Sequence, residues 1–371
     1  MKEINIARTI VSKRREKGIT QDELAEYIGV SKASVSKWET GQSYPDIVFL
    51  PQLAAYFNIS LDELMGYAPQ MTKEDIRKLY HRLSSDFAAR PFDDVLGECR
   101  GIIKKYYSCF PLLLQMAVLL INHHMLAEDK DKKEAVLKEA VELCMRIKVE
   151  SDDVLLSRDA TSLEAVCYLM LKQPQDVLNL LGESIRPAPT DDVSVAQAYQ
   201  IMGNIPKAKE VTQISVYQHL IALIGATPAY MMLYADNSEK SGEILRRALS
   251  VAQTYDLERL HPSTMAQIYL AAAHVCSLQG NTEKALDMLQ KYTDICTTCF
   301  FPCSLHGDSF FDAIEGWFSD FDLGAGAPRD EKVIKKSMLQ GVIANPVFAA
   351  LSEQPRYKSI IEKLKNNLGG N

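Results

Sequence analysis

This sequence predicts an all-α chain built of two unlike parts, a five-helix unit at the N-terminus and a long array of helix pairs behind it. Three observations carry that expectation. Apolar residues recur at spacings of three and four along the chain, the helical period, and alternating strand patterns are absent. The first 66 residues hold five short periodic segments, each bounded by glycine or by a capping Ser, Thr or Asp. Beyond them, polar breaks recur at intervals of 31 to 44 residues.

In the first unit Ile4, Ile6, Ala7, Ile10 and Val11 share one face of a first helix, Lys13 to Lys17 form its charged end, and Gly18 stops it. Thr20 with Glu23 makes a capping box for a second helix burying Leu24, Ala25 and Ile28, which Gly29 ends. Ser31 caps a third helix with Val35 and Trp38 inward and Gly41 beyond it. Pro45 and Asp46 open a fourth, carrying Val48, Leu50, Leu53, Ala54 and Phe57. Ser60 caps a short fifth, with Leu61 and Leu64 inward. Two short helices joined by a tight turn at Gly29 place the second steeply across the first. The outward residues of that second helix, Lys32, Ala33, Ser34, Ser36 and Lys37, are small or hydrogen-bonding. A helix with such a face can enter a major groove: lysine donates to guanine, serine contacts several bases, and the alanine methyl meets a thymine methyl.

The run Thr20-Gln21-Asp22-Glu23-Leu24-Ala25, then Gly29-Val30-Ser31, Val35-Ser36-Lys37-Trp38-Glu39-Thr40-Gly41 and Tyr44-Pro45 resembles the Cro/C1 (XRE) type of helix-turn-helix domain over about residues 4–66. The resemblance implies a DNA-binding transcriptional regulator, with double-stranded DNA as partner. It places Lys32, Ala33 and Lys37 at base-reading positions with Ser34 and Ser36 beside them. It puts Gln21 on a phosphate and against the recognition helix, with Ser31, Thr40, Gln42 and Ser43 at the DNA backbone. It also pairs Arg14 with Glu39 in a salt bridge between the first and third helices.

Charge constrains how such a unit binds. The chain carries a net −7, but residues 1–66 contribute only −1, and residues 1–40 hold eight Lys/Arg against six Asp/Glu. A modest basic face gives modest non-specific affinity, which favours binding as a homodimer.

After a linker at 67–73 containing Pro69, the region 74–296 reads as helical repeats. The breaks fall near Arg90, Asp129, Lys172, Gly203, Asp236 and Gly280, giving six helix pairs. Gly203-Asn204 with Ala208 and Gly280-Asn281 with Ala285 use the same wording, and the latter, with Tyr269, Ala272, Ala273, Cys276 and Leu289, resembles the tetratricopeptide repeat. The expected fold is therefore a tetratricopeptide-like α-solenoid. A helix-turn-helix unit followed by such repeats resembles the peptide-responsive quorum-sensing regulators of Gram-positive bacteria, which implies dimerisation through the repeats and a short peptide in their groove. The alternative is a repeat domain that docks a partner protein and senses no effector. Asn122, Gln197, Gln200 and Gln267 fall on first helices of pairs, where they can meet a peptide backbone.

Residues 297–371 are expected to form a helical cap, with Phe310, Phe311, Ile314, Trp317 and Phe318 on one helix face, a loop at 321–329, and helices near 330–341 and 346–366. Gly369 and Gly370 are expected to fray. Cys296, Cys299, Cys303 and His306 form a tight metal-like cluster, but Phe300, Phe301 and Pro302 interrupt it, so no metal and no cofactor is expected. Adjacent His123 and His124 point about 100° apart on a helix. No Walker loop, nucleophile elbow, zinc-protease helix or dinucleotide fingerprint occurs, so no enzyme is expected. No signal-peptide core opens the chain and no run of about 18 uninterrupted apolar residues occurs, so a cytoplasmic protein with reduced cysteines and no membrane partner is expected.

Overall fold

The computed structural model describes residues 5–67, 70–184 and 191–369; Ile4, Pro69 and Gly370 lie outside them. The described residues are helical with no strand, apart from one isolated bridge between Ser304 and Gly326.

Five helices make the first unit: α1 (Ile6–Glu16), α2 (Gln21–Ile28), α3 (Lys32–Glu39), α4 (Leu50–Phe57) and α5 (Leu61–Met65). Local chemistry sets each boundary. Thr20 and Glu23 satisfy each other's backbone N–H in a capping box, and Ser31 and Ser60 cap α3 and α5. Gly29 ends α2 with φ at +80°, a left-handed conformation that costs glycine little. Ile6, Ile10, Leu24, Ala25, Ile28, Val35, Trp38, Leu53, Ala54, Phe57 and Leu64 form one buried cluster that, among the described residues, takes in none from elsewhere in the chain. The Asn5 N–H donates to Met65 O at 3.0 Å, tying the two ends of the unit together.

Two sequence expectations fail here. The fourth helix does not begin at Pro45 and Asp46. The Asp46 carboxylate accepts the Val48 N–H, which winds Ile47–Phe49 into a single 3-10 turn and moves the α-helical start to Leu50, with Pro51 in the first turn. Val48 is consequently exposed. Leu61 also faces solvent, because the first position of a five-residue helix projects past the core that Leu64 reaches.

Behind this unit lie α6 (Lys73–Ala89), α7 (Phe92–Lys105), α8 (Phe110–His123), α9 (Lys130–Glu150), α10 (Val154–Met170) and α11 (Pro174–Leu181). They are followed by α12 (Asp191–Ile201), α13 (Ile205–Gly225), α14 (Thr227–Leu233), α15 (Ser238–Thr254), the short α16 (Leu257–Leu260), α17 (Pro262–Leu278) and α18 (Thr282–Thr298). Each of the six breaks lies between two helices. At both Gly-Asn breaks the glycine is left-handed and the asparagine side chain caps the next helix, at Lys207 N and Lys284 N. Lys172 takes the same left-handed turn without glycine, at φ +60°.

Packing divides the array. One buried cluster runs from Ile76 to Cys167, and a second from Tyr217 to Leu368. Between them α11 and α12 contribute no fully buried side chain. Residues 205–233 are long and apolar enough by composition to cross a membrane, a density that counting uninterrupted runs overlooked. In this fold the segment is α13 and α14, and Tyr217, Leu220, Ile224 and Met231 are buried in the second cluster.

The C-terminal region departs most from expectation. Phe310 to Ile314 are not helical. The Asp308 carboxylate accepts the N–H groups of Phe310 and Phe311, which makes a turn, and only α19 (Glu315–Ser319) is helical. Phe311, Ile314 and Phe318 are buried with Tyr217 in the interior of the array, so they do not cap its end. The chain then returns to α6. Arg77 donates to the carbonyls of Ser319 and Asp322, both at 3.0 Å, and also to that of Phe321. His81 meets Leu323 O at 2.9 Å, Gln115 donates to the Asp322 carboxylate at 3.0 Å, and Ser84 donates to Pro328 O at 3.2 Å. The far side of α18 is covered instead by α20 (Glu331–Ile343) and α21 (Pro355–Leu368). Tyr292 donates to Met338 O, and Arg356 pairs with Glu283 and Asp287. The last helix starts at Pro355, not 346, because Pro346–Leu351 forms a 3-10 turn and the residue before Pro355 is held extended.

Candidate nucleic-acid interface and array cavities

The structure presents α3 as a braced helix. Val35 and Trp38 anchor its inner side, while Lys32, Ala33 and Lys37 are exposed and Ser34 and Ser36 half-buried. Glu39 at its last turn is gripped from two helices. Arg14 donates Nε to Oε1 at 2.5 Å and Nη2 to Oε2 at 3.0 Å, and Gln21 donates Nε2 to Oε2 at 2.8 Å. The remaining Arg14 nitrogen donates to Ile19 O. Burial alone would raise the Glu39 carboxyl, but the hydrogen bonds from Arg14 and Gln21 and the guanidinium charge outweigh it, so its pKa falls. Both side chains are largely buried, at 15% and 6% exposure, so this pair is shielded from the solvent screening that weakens surface pairs.

The polar side chains around α3 are partly committed within the protein. The Lys32 ammonium pairs with Asp22 at 2.7 Å, and both groups are exposed. Lys37 has no ion pair among the described residues. Ser31 accepts the Ser34 N–H and meets the Ser34 hydroxyl at 2.9 Å. Thr40 donates back to Ser36 O, while the backbone N–H groups of Gln42 and Ser43 donate to Lys37 O, fixing the loop that follows α3. Sequence reasoning placed Val48 on the fourth helix, gave Tyr44 no role and passed over Ile47, yet all three are large, apolar and exposed directly beyond that loop. The only sequence signal for them was the Pro45-Asp46 turn, which lifts Ile47 and Val48 off the core.

The four amide side chains expected in one groove lie in two separate cavities. Asn122 and Gln267 line a cavity of about 430 Å3 between the end of α8, the start of α17 and the returning segment 300–329. Gln197 and Gln200 line another, of about 510 Å3, between α12 and α13. The returning segment walls the first cavity, and its Leu305 N–H donates to Ala325 O at 2.8 Å, closing that loop.

Among the described residues no group of three His, Cys, Asp or Glu is placed to hold a metal. Cys296 is buried, and burial pushes its thiol up to about 12, while His306 turns to Gly307 O. His123 is fully buried, stacked on Phe87 at 4.7 Å, with Nδ1 against Leu119 O and Nε2 against the Ser84 hydroxyl; burial lowers its pKa to about 4. His124 bonds separately to Ile121 O. All eight cysteines are free thiols.

A capped two-helix turn, a braced second helix with a polar outer face and a surrounding five-helix core define a helix-turn-helix domain, and residues 10–64 match the helix-turn-helix family. Over 74 residues the chain is 32% identical to the HTH-type transcriptional activator BcrR of Enterococcus faecalis, a match that takes in 18% of this chain and 36% of BcrR. The chain thus spans about a third of the length of that curated relative. Among solved structures it is similar to Bacillus thuringiensis PlcR in complex with the peptide PapR7 and DNA, at 13% identity and a TM-score of 0.26, covering 78% of this chain and 95% of PlcR. It is also similar to the apo form of the competence regulator ComR from Streptococcus vestibularis, at 14% identity and a TM-score of 0.24, covering 86% and 98% of the two chains. Scores of that size transfer neither an arrangement of helices nor a residue's role.

Proposed function

We propose that this protein is a sequence-specific DNA-binding transcriptional regulator that acts as a homodimer, with the helical array as its dimerising and peptide-sensing part. The observation that carries the reading is α3, whose exposed hydrogen-bonding side is pinned from behind by Arg14, Gln21 and Glu39. On this reading Lys32, Ala33, Ser34, Ser36 and Lys37 read base edges. Gln21, which keeps one amide N–H beyond the one it gives Glu39, joins Ser31, Thr40, Gln42 and Ser43 at the phosphates. Lys32 exchanges its Asp22 partner for DNA when the helix enters the groove.

The region 149–205 supports the dimer. Among its described residues it leaves many large apolar side chains in water, including Val149 at the end of α9 at 83% and Ile201 on α12 at 87% exposure, and α11 and α12 add no buried side chain to either core cluster. Large apolar side chains exposed at this density are what an interaction site presents. The match to an activator, BcrR, agrees with a role in transcription, and the free thiols suit a reducing compartment.

Selection of bound duplexes from a random pool by the full chain tests the proposal. Enrichment of two symmetry-related half-sites, spaced by about 10 base pairs or a multiple, is the expected result. No enrichment over the input pool overturns it.

A further inference from the structure

We infer that the cavity between α8, α17 and the returning segment is a binding site for the C-terminal end of a short apolar peptide, with Arg329 receiving the terminal carboxylate. This deepens the reading of the array as the sensing part and rests on it.

The cavity has the character of a ligand site. At about 430 Å3 it falls within the range of roughly 300–1,000 Å3 usual for such sites, and its walls are mostly apolar, with Leu260, Leu270, Phe300 and Met338 among them. It holds a few side chains rather than a folded partner. Its lining contains no Asp, Glu or Lys, and Arg329 is its one permanently charged side chain.

Arg329 is short of acceptors. Its guanidinium carries five N–H donors. The acceptor it has among the described residues is the Met125 thioether sulfur, a weak one, at 3.7 Å. No carboxylate among them is within ion-pair distance. The adjacent Asp330 is turned away, its oxygens taken by Lys332 N–H at the start of α20 and by the Ser85 hydroxyl. Partial burial accordingly draws the Arg329 pKa down, against smaller opposing contributions from Tyr80 and Cys303.

An independent observation points to the same corner. The hydroxyl of Tyr80, wholly buried on α6 beside Asn122 and near Arg329, makes no well-formed hydrogen bond among the described residues, with the Asn122 side chain its adjacent polar group. A buried polar group left unpaired costs free energy, and a half-buried charge such as Arg329 without a counterion costs some as well. A carboxylate at this corner brings both the missing charge and the missing acceptors, and guanidinium–carboxylate pairing is the strong bidentate kind. A peptide fits better than a fatty acid because the two amide side chains on the walls suit a peptide backbone. Asn122 donates to Val118 O, which leaves its own oxygen for a peptide N–H, and Gln267 is exposed with both amide ends available among the described residues.

The test incubates the full-length protein with a pool of synthetic short peptides of Leu, Ile, Val and Phe, as free acids and as C-terminal amides, and with octanoate separately. Bound species are separated by rapid gel filtration and identified by mass spectrometry. Retention of free-acid peptides, preferred over their amides by roughly tenfold or more, is expected, with that preference lost in Arg329→Gln. The acid-against-amide comparison uses the unaltered protein, so a folding defect in the variant cannot imitate the result. Equal retention of acid and amide, no retention of either, or octanoate held where peptides are not, overturns the inference. DNA binding is read on the same samples. Its loss with peptide retention intact rejects the regulator reading alone, and the converse rejects the peptide site alone.

Discussion

The Arg14 guanidinium holds the Glu39 carboxylate through two hydrogen bonds, joining the end of the first helix to the end of the helix proposed to read DNA. Removing the guanidinium leaves a largely buried carboxylate with Gln21 as its one remaining side-chain donor. Arg14→Ala is therefore expected to destabilise the N-terminal unit by about 1.5–3 kcal/mol, the range for hydrogen bonds to charged groups, measured by urea denaturation. An unchanged midpoint would mean that the brace is decorative.

The same pair sets an acid limit. Glu39 has a folded pKa below its unfolded value, so its contribution is fully present above the ordinary glutamate pKa of about 4.3 and is lost as pH falls through the lower, folded value. Wild-type stability is expected to fall on acidification below about pH 4 more steeply than that of Glu39→Gln, which has no such proton to bind. Parallel curves for the two proteins would reject this linkage.

Asp22 opposes DNA binding on this account. It holds Lys32 in an exposed pair worth no more than about 1 kcal/mol to stability, and it adds negative charge beside the groove-facing helix. Asp22→Asn is expected to leave stability nearly unchanged, to tighten DNA binding, and to have less effect as salt rises. Weaker binding by this variant at low salt would show that Asp22 positions Lys32 rather than competing for it.

Arg77 is the main clasp between α6 and residues 319–330 at the end of the returning segment. Arg77→Ala is expected to raise amide hydrogen exchange across residues 319–330 and to lower the melting temperature of the array. The first unit, whose buried cluster is its own, should keep its own unfolding midpoint. Unaltered exchange in that segment would leave the clasp without energetic weight.

What the sequence disclosed and what it concealed divide by range. The capping box at Thr20 and Glu23, the left-handed Gly29 and the Gly-Asn breaks act within a few residues, and each left a readable mark. The Asp46 and Asp308 side chains also act locally, but they turn the chain where apolar spacing alone suggests helix, so Val48 and Phe310 were misplaced. The clasp of Arg77 on Asp322 joins residues 245 apart, and no periodicity encodes it. Arg329 was invisible for the same reason: its isolation arises only when α6, α8 and the returning segment meet. The amides at Asn122 and Gln267 were identified from their places on first helices, whereas their lying in a different cavity from Gln197 and Gln200 is set by tertiary packing that periodicity does not encode.

The central claim is that α3 reads DNA through its exposed lysines. Binding of the selected duplex by the full chain, followed by fluorescence anisotropy at one fixed salt concentration, tests it most directly when Lys32→Ala and Lys37→Ala are compared with the unaltered protein. Each substitution is expected to cost about 1–3 kcal/mol on the selected duplex and much less on a scrambled one, with the melting temperature unchanged. Equal affinity and equal preference in all three proteins would contradict the account.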